Sequence, residues 1–192
     1  NITADNEEVS PETTDLLATA KKITISGSTP DALEIQALFA SNEKVTSIDM
    51  TGVIEYFEVP VAANPNCLVY APASAQVENN NVVINGTAKK IVLTDAMPFE
   101  VPTAFHAEAI SYTRTIEESL TTNAQETTSW RGIVLPFDVS TIQARNKAGE
   151  QVELSAYNAE GEYDTSKNPF WLRELTTEDF AATQTFSANT PY

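Results

Sequence analysis

The chain has 192 residues, 42% of them hydrophobic, with 27 acids against 11 bases and a net charge of −16. That length supports one large domain or two small ones with a real core, and the charge sets the chain against nucleic acid and anionic membranes, which are polyanions themselves. No run of about 18 apolar residues is present to span a bilayer, and the single cysteine, Cys67, excludes an intrachain disulfide.

The first twenty residues read as a loose polar arm, with a short helical turn at Asp15–Ala20. The chain starts at Asn1 with no signal peptide, which reads as a mature or trimmed chain. Ile23-Thr24-Ile25-Ser26-Gly27 is a β-branched strand closed by glycine. A helix is expected next. Ser28 or Thr29 serves as N-cap, Pro30 takes the first helical position, and Leu33, Ala37, Leu38 and Phe39 form the apolar face, up to Ser41-Asn42.

Ile48-Asp49-Met50-Thr51-Gly52 then matches Ile23 to Gly27 in type, position by position, 25 residues on. That spacing falls inside the leucine-rich-repeat period of about 20–29 residues. Cys67-Leu68-Val69-Tyr70, Val82-Val83-Ile84-Asn85-Gly86 and Ile91-Val92-Leu93-Thr94 follow less regularly. The expected front half, residues 1–97, is a short irregular leucine-rich-repeat-like solenoid with one helix. Glycines 27, 52 and 86 are expected to supply positive φ where each strand turns.

The Pro98–Pro102 segment reads as a junction to a back half, residues 98–192. There Ala109–Ile116, Trp130–Phe137, Val152–Tyr157, Phe170–Leu175 and Phe180–Phe186 read as strands, with a threonine-rich loop at Thr121–Ser129. Their spacing predicts an antiparallel β-sandwich, with Trp130–Phe137 as its strongest buried strand. The fold class is therefore mainly β with some α.

The blocks Asn64–Tyr70, Val83–Thr87, Trp130–Phe137, Pro169–Leu175 and Ala188–Tyr192 resemble a group of exported leucine-rich-repeat-type surface proteins of anaerobic gut bacteria. These carry terminal repeats followed by a β-sandwich region. The resemblance runs from about residue 20 to the end and implies export, a cell-surface or secreted location and adhesion. It implies no catalytic residues. It also implies a further strand beyond the Tyr192 block, so the back half is expected to be cut short.

Most chemistries fail by count. One Cys and one His build no zinc centre alone. Cys67 sits in an apolar strand and reads as a buried structural thiol, and His106 as a junction residue, so a Cys67–His106 nucleophile pair is disfavoured. There is no phosphate-binding glycine loop and no nucleophile elbow. With 27 acids a glycosidase pair is available, but none stands out. No enzyme activity and no cofactor are expected.

Two candidate sites remain. Asn158, Glu160, Glu162 and Asp164 crowd one turn around Gly161 and are the calcium candidates, weighed against a plain polar hairpin. Tyr157 and Tyr163 flank that turn as exposed ligand-binding aromatics, whereas Trp130 and Trp171 are expected in the core. The leading expectation is a non-catalytic module adhering to a host or bacterial surface protein or a glycan. A structural spacer or cap of a larger surface protein is the alternative. A carbohydrate-binding or carbohydrate-active accessory module is the third reading.

Overall fold

The structure is a computed structural model and describes residues 2–3, 17–27, 40–54, 58–115, 130–146 and 148–192. It is mainly β, with helical backbone at residues 17–19 alone among the described residues. The helix expected from Ser28 to Asn42 and the Thr121–Ser129 loop fall almost wholly outside the described residues. No described helix is long and apolar enough to cross a membrane. The chain divides into two units, residues 1–115 and 116–192.

The first unit is built on a parallel ladder. β1 (Ile2–Thr3), β2 (Lys22–Gly27), β3 (Ser47–Val53), β4 (Leu68–Ala71) and β5 (Val82–Ile84) pair in sequence order, every neighbour parallel. β6 (Thr87–Ala88) extends this sheet antiparallel to β5, and β8 (His106–Ala107) then pairs parallel with β6. β7 (Ile91–Thr94) and β9 (Ile110–Thr113) form a separate parallel pair.

Alternation explains the burial. Ile23 and Ile25 of β2, Ile48 and Met50 of β3, and Val69 and Ala71 of β4 point into one core with Leu17, Val45 and Cys67. Tyr70 faces the other way. It is covered edge-on by Phe105, with ring centroids 6.4 Å apart, and its hydroxyl donates to Thr103 O at 2.9 Å.

Two expected regularities are altered. Ile23 does pair with Ile48, but the register slips between Thr24 and Ser26, so Ser26 meets Gly52 and Gly27 meets Val53. Gly27 has φ 110°. Gly52 is needed for a different reason: a Cβ there would lie 2.9 Å from the Ser26 Cβ. Asn85-Gly86 does not close a parallel coil. With φ 50° and 73° it makes a two-residue hairpin turn joining β5 to β6.

Buried asparagines hold the loops of the first unit together. Asn42, Asn64, Asn66 and Asn81 are each less than a tenth exposed. Asn42 Nδ2 donates to Leu17 O and Ala20 O, and Asn64 Nδ2 to Val45 O and Pro98 O. Asn66 Nδ2 reaches Thr94 O and Met97 O, while Asn81 Nδ2 reaches Pro65 O and Val92 O. Each Oδ1 accepts one backbone N–H, from Lys44, Asn66, Thr94 and Val92 respectively. Loop carbonyls and amides that no strand partner reaches are thereby satisfied inside the protein.

The expected junction at residues 97–98 is corrected. β8 and β9 lie beyond it, yet they pair parallel with β6 and β7, so the first unit continues to Thr115. The second unit carries small mixed sheets. β10 (Gln143–Arg145) pairs antiparallel with β11 (Gln151–Ala156), which pairs parallel with β12 (Asn168–Phe170). β13 (Arg173–Leu175) and β14 (Phe180–Ala182) form an antiparallel hairpin.

The Trp130–Phe137 run is not a buried strand. It makes a single bridge, Val134 to Pro191, and of its residues only Leu135 is buried, while Val134 is exposed. The chain end is its partner: Ile133 N donates to Tyr192 O, and Tyr192 N to Ile133 O. Phe186 likewise makes an isolated bridge to Val139, and its ring packs edge-on against Tyr192.

Candidate functional site

The aromatic residues of the second unit converge, and the sheet explains how. In the parallel β11–β12 pair, Ala156 stands opposite Phe170. The next residues along, Tyr157 and Trp171, therefore sit side by side. Tyr157 N donates to Phe170 O at 3.0 Å, and the two rings stack with centroids 4.3 Å apart at 27°. Tyr163 meets Tyr157 edge-on at 5.1 Å. Two residues past Trp171, and so on the same side of the chain, Arg173 sets its guanidinium 5.9 Å from the Trp171 ring and 6.0 Å from Trp130.

The result is a continuous row: Tyr163, Tyr157, Trp171, Arg173, Trp130. Leu172, pointing the other way, is buried. Trp130 is 40% exposed, which corrects its expected place in the core. Tyr157, Tyr163 and Trp171 are half-buried, so the two tyrosines are less open than expected because they pack on one another and on Trp171. Trp171 Nε1 and Arg173 Nε are shielded from solvent and have no hydrogen-bond partner among the described residues. Arg173 Nη1 donates to Phe180 O at 3.4 Å, which ties the row to the β13–β14 hairpin.

The acidic turn holds Tyr163 in place. Asn158 Oδ1 accepts from Glu160 N at 3.1 Å and Glu162 N at 2.7 Å, and Asn158 N donates to Glu162 O. Gly161 turns the chain with φ 82°. Asp164 faces elsewhere. Its Oδ1 accepts from Ser166 N and Oγ, at 3.0 and 2.6 Å, and its Oδ2 lies 3.8 Å from Lys167 Nζ. The Ser166 hydrogen bonds hold the Asp164 carboxyl below its usual range, with Lys167 adding to the effect.

Of the four calcium candidates, Asn158 and Glu162 touch, Asn158 Nδ2 donating to Glu162 Oε2 at 3.4 Å. The Asn158 oxygen is committed to two backbone amides and Asp164 to Ser166 and Lys167. No three His, Cys, Asp or Glu side chains among the described residues lie where they could hold a metal ion.

Cys67 is 5% exposed, its Sγ lies 3.8 Å from Leu68 O, and burial pushes its pKa up to about 12. A thiol so placed is not a thiolate at neutral pH. His106 is exposed in β8.

Sequence reasoning missed Arg173 as the centre of the row. Its spacing to Trp171 was the available signal, since alternate residues of an extended segment share a face. Comparison with protein-family models, with curated proteins and with solved structures found no match.

Proposed function

We propose that this chain is a non-catalytic interaction module of an exported, cell-surface or secreted protein, adhering to a protein or glycan through the aromatic row of its second unit. On this reading the parallel ladder of the first unit is a leucine-rich-repeat-like solenoid, and the second unit is a sandwich-like domain carrying the contact surface. The likeness to exported repeat proteins of gut bacteria belongs to the same proposal.

The observation that carries it is the row from Tyr163 to Trp130. Flat rings with a guanidinium between them offer stacking area and a cationic edge, which suit sugar rings and protein aromatics alike.

The test is binding of the purified chain to arrayed glycans and to immobilised extracellular-matrix proteins, with and without calcium. Saturable binding is expected, unchanged by calcium, and weakened about tenfold or more by Trp130→Ala, whose exposed ring makes it safe to remove. Binding that survives Trp130→Ala and Tyr163→Ala together would move the contact off this row. No binding by the folded chain would favour the structural spacer instead.

A further inference from the structure

Lys21 and Lys44 line one cleft although 23 residues separate them. Lys21 leads directly into β2, and Lys44 to Thr46 lead into β3. The parallel register, with Lys22 opposite Ser47, brings the two approaches together. Thr46 N donates to Lys21 O at 2.8 Å, and Thr46 Oγ1 to the same carbonyl at 3.1 Å.

A third segment closes the space. Pro98, Phe99 and Glu100 line it from the other side, leaving a cleft of about 250 Å³ with Lys21, Lys44 and Thr46. This loop is held from three directions. Asn64 Nδ2 binds Pro98 O at 2.9 Å, Asn66 Nδ2 binds Met97 O at 3.1 Å, and Glu100 pairs with Lys22 at 3.1 Å. Ala96, at φ 61°, makes the bend that leads into it.

The charge of the cleft is opposite to that of the chain. Net charge overall is −16, yet the lining holds two lysines and one acid, and that acid is already matched by Lys22. Neither Lys21 nor Lys44 makes an ion pair among the described residues. Two unmatched ammonium groups beside a preformed cleft attract an anion once it is within a Debye length of about 8 Å, where the net negative charge of more distant parts is screened.

We infer that this cleft binds an oxyanion, a carboxylate or sulfate group, of the kind carried by acidic sugars. The volume lies just below the range of about 300–1,000 Å³ typical of small-molecule pockets, so it suits a single sugar residue. Phe99, half-buried, supplies an apolar wall for the ring, and the lysines take the charged substituent. The site lies in the first unit and does not depend on the aromatic row.

The experiment is a calorimetric titration of the full chain, at physiological ionic strength, with a galacturonic acid oligosaccharide, a sulfated galactan oligosaccharide, an uncharged galactan oligosaccharide and sodium sulfate. Both charged oligosaccharides are expected to bind and the uncharged one is not. K21Q/K44Q should weaken binding about tenfold or more, whereas K89Q/K90Q, which removes two lysines elsewhere on the same unit, should change it less than about twofold. Sulfate as tight as the oligosaccharides marks a site for small free oxyanions; weaker sulfate marks sugar-borne groups, and either supports the inference. Equal binding of the uncharged sugar, equal loss in the two lysine pairs, or no binding of any anion overturns it. Should K21Q/K44Q lower the melting temperature, K21R/K44R keeps the charge and must retain binding. Trp130→Ala is expected to leave these titrations unchanged, so failure here and failure of the aromatic row are told apart.

Discussion

The two units solve the packing problem differently. Of the twenty buried apolar residues described, seventeen lie in residues 1–115 and three, Leu135, Ala156 and Leu172, in residues 116–192. All six buried polar side chains are in the first unit as well. The first unit thus stacks alternate side chains along a ladder and uses asparagines to satisfy the loops. The second has short mixed strands and leaves Trp130, Val134, Leu175 and Phe180 exposed, as the first leaves Ile54, Val61, Val101 and Ile110. A thin core means low local stability. The difference lies in the core: the first unit buries apolar side chains along its ladder, whereas the second gathers its aromatic rings into one row.

Both tryptophans are in the second unit, so tryptophan fluorescence reports that unit alone. Urea unfolding followed by fluorescence is expected to precede unfolding followed by far-ultraviolet circular dichroism. Ile48→Ala, at a wholly buried position, should cost the first unit about 3–5 kcal/mol and leave the fluorescence midpoint where it was. Coincident transitions, or a fluorescence midpoint that moves with Ile48→Ala, would break the comparison.

Alkaline pH should strike the first unit selectively. Burial raises Cys67 from 9.0 to about 12 in the folded chain. Burial and the Asp95 hydrogen bond raise Tyr112 from 10.0 to about 12. Both groups are neutral when protonated, and folding favours that form. Their stabilising effect is whole below the unfolded-state values and is lost as pH climbs from 9 towards 12. For Cys67 alone the loss reaches roughly 4 kcal/mol by pH 12. Cys67→Ala should flatten the fall in first-unit stability between pH 9 and 12; an unaltered slope would show that the thiol is not sequestered.

Asn64→Ala removes two donors and one acceptor from buried backbone groups and is expected to cost about 2–4 kcal/mol, measured by chemical unfolding of the first unit. A loss under about 1 kcal/mol would mean that the loops do not depend on these bonds. The smallest effect sharpens the register slip. Gly52→Ala should cost about 1–3 kcal/mol by crowding the Ser26 Cβ, and Ser26→Gly in the same chain should recover most of it. Absence of rescue would place the bulge elsewhere.

Much of the first unit was legible from residue type. Ile23, Ile25, Ile48, Met50, Val69 and Leu93 announce strands by alternation, and the 25-residue match set Ile23 against Ile48 before any fold was known. Burial of Cys67 followed from its neighbours in the same way. The role of the asparagines was not legible, because Asn in a loop reads as a turn former and its carbonyl partners lie 11 to 34 residues away. Trp130 misled because the apolar run behind it resembles a core strand. That run pairs through Val134 with the chain end alone among the described strands and bridges, and Trp130 is left 40% exposed.

By itself the sequence determined the mainly β character and the match of Ile23 to Ile48, since these depend on residue type and periodicity. Only the tertiary structure decided which strands ran parallel, where the first unit ended, that Asn158 spent its oxygen on backbone amides, and that Arg173 lay between two tryptophans. The physical reason is the same in each case. Such features are contacts between segments distant in sequence, and a strand carries the same alternation whichever neighbour it finally meets.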